Sequence, residues 1–270
     1  MSDKNNDNAV SGVSRISKIK GLLRGEFFRE NIGIPTLIVL TFLIFRFFVF
    51  DYFIVPSSSM VPTLLIGDMP LVEKWIYGYS RHSIWFSPNL FSGRIMFRKD
   101  LMKRGEIIVF KAPEDNDTNV IKRLIALPGD RISVYGGIIS VNGVAAQLTF
   151  KKKMLYKDTN QRTFHELMLF EEKLPLSDTP LHTVAYYEPL RESKANYCEE
   201  ITVPDGYYFV MGDNRDFSKD SRCGLGLVPE ENIMGKAICT IHSIDNGVKL
   251  WEPWLWLQNI RYQRIFKKII

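Results

Sequence analysis

Between Ile32 and Phe50 the chain runs 19 residues with a single charge, Arg46. As a helix at about 1.5 Å per residue this stretch reaches roughly 28 Å, near the thickness of a bilayer's hydrocarbon core. A helix lying on a soluble core would show a polar stripe, and Ile32–Phe45 shows none. A cleaved leader would end in small residues, whereas Asp51-Tyr52-Phe53-Ile54-Val55 follows. A retained transmembrane helix over 32–50 is therefore expected, with Arg46 near its far end and long enough to reach the interface. Its orientation follows from charge. Arg15, Lys18, Lys20, Arg24 and Arg29 precede it, and the twenty residues after Arg46 carry no Lys or Arg. Basic flanks stay on the cytoplasmic side, so the N-terminus is expected in the cytoplasm and everything after the span outside it.

What is exported reads mainly as β-structure. Tyr52–Val55, Pro70–Glu73, Glu106–Phe110, Val120–Leu127, Tyr207–Met211 and Lys236–Ile241 are apolar runs of strand length bounded by turn residues. Leu127-Pro128-Gly129-Asp130 has the Pro and Gly placement of a type II turn. Gly136-Gly137 separates Ile132–Tyr135 from Ile138–Val141, and Asn142-Gly143 follows, as two hairpin turns would. Residues 146–200 are less regular, and Lys151-Lys152-Lys153 within them reads as a solvated face. The expected organisation is a basic cytoplasmic segment 1–31, a span 32–50, a β-rich catalytic domain 51–135 and 201–245, an insertion or second subdomain 136–200, and a Trp-rich basic tail 246–270.

Charge and cysteine content exclude some functions. The formal net charge is only +5, and no zinc knuckle, helix-turn-helix signal or long basic stripe is present, so nucleic acid is not an expected partner. The basic ends flank apolar and aromatic sequence and fit a lipid bilayer better. Cys198, Cys223 and Cys239 are an odd set without a CxxC, which leaves at least one thiol free. They share no metal-ligand spacing with His82, His165, His182 and His242, and no metal or other cofactor is expected.

Three segments carry chemistry. Val55-Pro56-Ser57-Ser58-Ser59-Met60-Val61-Pro62-Thr63-Leu64 places three serines between prolines, just past the span. Alone it would read as a linker, but Leu65-Ile66-Gly67-Asp68 leads back into apolar sequence. In Ile121-Lys122-Arg123-Leu124-Ile125-Ala126, period two sets Lys122 on one face with Val120, Leu124 and Ala126. A lysine among apolar neighbours has its ammonium form disfavoured, and a neutral amine near pH 7 can act as a general base. The alternative is a lysine reaching past a sheet edge to water. The third segment, Gly212-Asp213-Asn214-Arg215-Asp216-Phe217-Ser218-Lys219-Asp220-Ser221-Arg222, alternates acids with bases among turn formers. It lacks the ligand spacing of a calcium loop. It reads either as a solvated loop or as a charge network fixing a buried one. No histidine lies in any of the three segments, and GxSxG is absent.

Together these segments resemble bacterial type I signal peptidases. Four blocks match in order: Pro56–Leu64 with Ile66-Gly67-Asp68, Arg104-Gly105-Glu106 with Val109-Phe110, Lys122–Asp130, and Gly212–Arg222. The resemblance covers roughly residues 30–135 and 203–240. It implies a serine protease with a Ser/Lys dyad that removes signal peptides from exported preproteins after small residues, at the outer face of a bacterial inner membrane. By position it implies Ser59 as nucleophile and Lys122 as general base. Ser57 and the Ser59 N–H would form the oxyanion hole, Ser218 would orient the lysine, and Asp220 with Arg222 would be a supporting ion pair. Val55, Pro56, Met60, Leu64 and Ile121 are the expected substrate pocket. One departure is Ser58, where the family often has glycine; serine is small enough to be tolerated.

The tail is read separately. Trp251, Trp254 and Trp256 precede Arg261, Arg264, Lys267 and Lys268 at near-helical spacing, as in a basic amphipathic helix at a membrane interface. The rival reading is a tail packed on the protein's own core. Other readings of the whole chain are a Ser-Lys peptidase with a dedicated substrate, a self-cleaving repressor, and an inactive anchored binding protein. Residues 1–31 are too short and too poor in apolar residues for the DNA-binding domain of the second. The joint presence of Ser59, Lys122 and Ser218 argues against the last.

Overall fold

The computed structural model describes residues 29–84, 93–95, 98–158, 163–187, 196–245 and 257–270. The chain divides into two compact units, Met1–Arg46 and Phe47–Ile270. The tryptophans at 251, 254 and 256 and the basic residues before Arg29 lie outside the described residues.

In the first unit a π-helical turn, Arg29–Gly33, leads into an α-helix, Ile34–Phe48, that buries none of its side chains. Asn31–Phe48 is the one helix among the described residues long and apolar enough to cross a membrane. It stops two residues short of the expected Phe50. Phe50–Tyr52 is claimed by β-pairing with Leu71–Glu73 instead.

The second unit is antiparallel β-structure. Its main sheet runs in the order Phe50–Tyr52, Asp68–Glu73, Ile233–Ser243, Ile107–Lys111, Asn119–Ala126, Tyr207–Met211, Val228–Pro229, with Lys267–Lys268 added to Ile233–Ser243. A four-stranded sheet joins Cys198–Thr202, Arg131–Tyr135, Ile138–Val141 and Val144–Ala145. Its hairpins turn where the sequence places them. Tyr135 faces Ile138 across Gly136-Gly137, and Val141 faces Val144 across Asn142-Gly143. All four turn residues have positive φ, as a two-residue type I′ turn requires. The Leu127–Asp130 turn closes by an Asp130 N–H to Leu127 carbonyl bond of 3.0 Å, with Gly129 at φ 86°.

One sequence expectation is corrected here. Over their described part, residues 146–200 are not irregular. Gln147–Asp158 and Thr163–Lys173 pair along nearly their whole length, and His182–Tyr186 adds a third strand. A bulge between Phe150 and Lys152 shifts the phase of the alternation, which hides the strand from a period-two reading. Lys151 and Lys153 pair on the surface with Glu171 and Glu166, in keeping with a solvated face. The buried core continues across residue 135. Ile125, Ile132, Val134, Ile139, Val141, Leu174, Phe209 and Met211 form one buried cluster across that boundary. Each such side chain, fully buried, contributes about 1.5–3 kcal/mol.

From Ile260 onward, where its basic residues lie, the tail is not a helix. Tyr262–Arg264 is a single 3-10 turn, and Lys267–Lys268 is a strand facing Cys239 and Thr240. Arg264 turns inward to the fully buried Asp68, and an inward-turned arginine cannot sit on the outer face of an amphipathic helix.

Gly67 and Gly129 isolate two costs. Their φ values are nearly equal, 85° and 86°, but a Cβ on Gly129 meets open space, while one on Gly67 would sit 2.0 Å from the Ile244 carbonyl oxygen. Gly129→Ala should cost about 1–2 kcal/mol, the left-handed penalty alone. Gly67→Ala should cost clearly more. The thermal unfolding midpoints of the two variants of the full chain in detergent measure the difference.

Candidate active site

Lys122 sits on the Asn119–Ala126 strand, between Ile107–Lys111 and Tyr207–Met211. It faces Ile108 and is 4% exposed. The strand is interior to the sheet, so the lysine has no edge to pass on its way to water. Ser59 lies on the loop between Phe50–Tyr52 and Asp68–Glu73. That loop is closed at its base by Val55 N–H to the Asp68 carbonyl and Gly67 N–H to the Val55 carbonyl, both 2.9 Å. From the other side, Asn214 donates its N–H to the Ser59 carbonyl and its amide to the Ser58 carbonyl, each at 3.1 Å. Gly212 permits this approach, because a Cβ there would lie 2.5 Å from the Ser59 carbonyl oxygen and 2.2 Å from Ser218 Oγ.

These restraints bring Lys122 Nζ to 2.6 Å from Ser59 Oγ. Ser57 Oγ is 3.3 Å from Ser59 Oγ, and the Ser59 N–H has no acceptor among the described residues. Burial pushes the Lys122 amine down from 10.5 to about 8, against the pull of the Asp220 and Asp213 charges. The shift corresponds to about 3 kcal/mol of disfavour for the ammonium form. A neutral amine in contact with a hydroxyl, beside a second hydroxyl and a free N–H, can take a proton from a nucleophile and hold a developing oxyanion.

Asp220 accepts two bonds from Arg222, 3.0 Å and 2.8 Å, and one of 2.9 Å from the Gly212 N–H. Burial alone would raise its pKa, but Arg222 holds it below the usual carboxylate range. Ser218 Oγ is buried beside Gly212 and makes no hydrogen bond to Lys122. It lies near enough to Asp220 to favour its charge, but not in hydrogen-bond geometry. Among the described residues no group of three His, Cys, Asp or Glu converges to hold a metal ion.

Comparison with known proteins decides the family. The family model described as Signal peptidase, peptidase S26 matches residues 29–242. The signal peptidase I of Rickettsia prowazekii is 32% identical over 254 residues, 89% of this chain and 94% of that one. That of Rickettsia akari is 35% identical over 249 residues, 84% of this chain and 88% of its own. The chain belongs to the signal peptidase I family. A crystal structure of a signal peptidase I from Enterococcus faecalis is 30% identical, covering 50% of this chain and 95% of that one, with a TM-score of 0.28. As a member of the signal peptidase I family the chain is a serine endopeptidase.

Two buried ion networks were not legible beforehand. Arg123, next to Lys122 but on the opposite face, bonds Asp213 at 2.7 and 2.6 Å, and Asp213 also accepts from Thr63 of the Ser59 loop. Arg215 bonds Glu172, which His182 meets at 2.9 Å. This second network ties the 212–222 segment to the long hairpin. Burial would raise Glu172, but the Arg215 charge and the bond from His182 hold it far below the usual range. An arginine in an interior strand was a usable signal for the first network. Nothing in the sequence links Glu172 to Arg215.

A cleft of about 440 Å³ opens on Ser57, Ser59 and Lys122, walled by Pro56, Ile121, Phe217 and Leu225. A smaller one of about 240 Å³ shares Pro56 and Ile121 and adds Val55 and Phe53. Met60 and Leu64, also expected in the pocket, line neither cleft. They are fully buried with Val55, Ile107 and Ala237 beneath the loop.

Removing one partner of the Arg215–Glu172 pair, 0% and 1% exposed, leaves a buried charge. Arg215→Met should cost about 3–5 kcal/mol, and Arg215→Met with Glu172→Met less than the single change. Denaturant unfolding of the three forms tests this.

Proposed function

We propose that this signal peptidase I family member cleaves signal peptides from exported preproteins with a Ser59/Lys122 dyad. The observation that carries the reading is the 2.6 Å approach of a buried, pKa-depressed lysine to a serine. Neutral Lys122 accepts the Ser59 proton as Oγ attacks the scissile carbonyl. The oxyanion takes bonds from the Ser57 hydroxyl and the Ser59 N–H. As the intermediate collapses the C–N bond breaks, and the lysine ammonium returns the proton to the departing amine. Water then attacks the acyl ester with Lys122 again as base, and the proton goes back to Ser59. Asp220 with Arg222 fixes the 212–222 segment, and Ser218, unbonded to Lys122 in the resting arrangement, becomes its orienting partner only as the amine moves through this cycle. Pro56, Ile121 and Val55 form the apolar wall against small substrate side chains.

The rest of the reading is topological. Asn31–Phe48 crosses the bilayer once, with the N-terminus in the cytoplasm and the catalytic unit on the outer face of the inner membrane. The Lys/Arg asymmetry supports this orientation. The bilayer and the preprotein are the expected partners, and nucleic acid is not one. Packing of Leu167, Leu169 and Ala185 from the 147–186 strands against Val61 of the Ser59 loop supports reading the exported part as one catalytic domain.

Cleavage of a preprotein by the purified chain tests the dyad. Ser59→Ala and Lys122→Arg should both be inactive, since a guanidinium does not deprotonate here. The wild-type rate should rise with pH through about 8, as the amine loses its proton. An active Lys122→Arg enzyme would remove the base assignment. Ser57→Ala should lose roughly 10²–10³ in kcat with KM little changed; an unchanged rate would move the oxyanion donor elsewhere. Amine labelling of Lys151–Lys153 should succeed only from outside intact membrane vesicles of native orientation.

A further inference from the structure

The described tail, expected at a membrane interface, spends its polar and apolar groups on the nucleophile loop. Arg264 donates to the Thr63 carbonyl at 2.8 Å and pairs with Asp68 at the loop's end. Arg261 donates to the Ile66 carbonyl and to Ile244. The tail strand is locked to the sheet by Phe266 N–H to the Thr240 carbonyl, 2.7 Å, and Ile269 N–H to the Ile238 carbonyl, 3.0 Å. Ile269 then packs on the cluster of Val55, Met60, Leu64 and Ile107, whose loop members flank Ser59 on both sides. The Ile270 carbonyl accepts from Arg123 at 3.0 Å, and Arg123 holds Asp213, which holds Thr63.

Loop contacts at Thr63, Ile66, Asp68 and the Met60–Leu64 cluster all lead to one ten-residue segment. We infer that Arg261–Ile270 is a positioning element for the nucleophile: it presses the Ser59 loop onto the sheet that carries Lys122, and the Ser59–Lys122 contact depends on it. This inference rests on the dyad reading above. The argument is geometric. Ser59 has no regular secondary structure of its own, and its Oγ must stay within hydrogen-bond reach of a lysine fixed on an interior strand. Met60 and Leu64 anchor it only if their cluster is filled, and Ile269 packs against that cluster. No described tail residue lines the cleft that holds Ser59 and Lys122, so the segment acts on the rate of the bound complex more than on substrate binding.

The test compares kcat, KM and the pH profile of preprotein cleavage for Ile269→Ala, Ile269→Val and Arg264→Lys in the full chain, alongside Ser59→Ala. Rates are normalised to the folded fraction and taken well below each melting midpoint. Ile269→Ala should lose roughly 10-fold to 10²-fold in kcat, the scale of a misplacement near 1 Å, with KM within about twofold. Its pH profile should move upward, because a loosened loop lets water reach Lys122 and relieves the burial that depresses it. Ile269→Val, which keeps most of the volume, should stay near wild type. Arg264→Lys keeps the charge at Asp68 but loses the fork that also reaches Thr63, and should show a smaller loss of the same kind; it decides the matter alone if Ile269→Ala does not fold. Unchanged kcat and pH midpoint in the folded variants, or losses that vanish on normalisation, overturn the inference while leaving the dyad standing. An active Ser59→Ala overturns the dyad itself, and the inference with it.

Discussion

An amine kept dry in the middle of a β-sheet is the constraint around which the rest of this molecule is arranged. Lys122 is useful only if its ammonium form is disfavoured, and burial supplies that. At about 8, roughly a quarter of the molecules carry the free amine at pH 7.5, against about one in a thousand for an ordinary lysine. The same burial is fragile, because any unshielded carboxylate nearby would restore the charge. Two carboxylates are near, Asp213 and Asp220, and each is matched by a buried arginine, Arg123 and Arg222. The arginines let these acids organise the backbone around the site without handing the lysine back its proton.

Each acid is also a strut. Asp220 receives the Gly212 N–H, and Asp213 receives Thr63 from the nucleophile loop. Asn214, between them in the chain, holds the Ser58 and Ser59 carbonyls. One short segment thus positions both the serine and the groups that set the lysine's field. Buried pairs of this kind contribute little net stability against an apolar replacement, but losing either partner is costly. Their effect is to specify one arrangement of a loop that has no regular structure to specify it.

Legibility from sequence followed the range of the interaction. The glycine turns at 136–137, 142–143 and 127–130 were readable because a positive φ is a local demand with a local residue solution. Lys122 was readable because period two exposes a charge on an apolar face, though only the position of its strand inside the sheet excluded a lysine reaching past an edge. The 147–186 strands were missed because one bulge at Phe150–Lys152 broke the period. The arginines at 123, 215 and 264 were missed as structural groups for another reason. Their partners lie 90, 43 and 196 positions away in the chain, and a charge gives no sign of which distant acid it will meet. The partners of the tail's basic residues were hidden for the same cause: those residues keep helical spacing but are committed to Asp68 and to backbone carbonyls of the loop.

The proposed lysine base also changes what a fold must provide. An imidazole base titrates near neutrality on its own and chiefly needs orientation, usually from a carboxylate. A lysine needs its environment to do the titrating, so the scaffold must exclude water before it aims anything. This chain has a histidine held by a buried carboxylate, His182 with Glu172, but that pair is closed by Arg215 and serves to join the long hairpin to the 212–222 segment. The interior strand, the filled cluster under Ser59 and the arginine-matched acids all act on one quantity, the hydration of a single amine. That is why the elements nearest the dyad are core elements, and why groups as far along the chain as Arg264 and Ile269 bear on it.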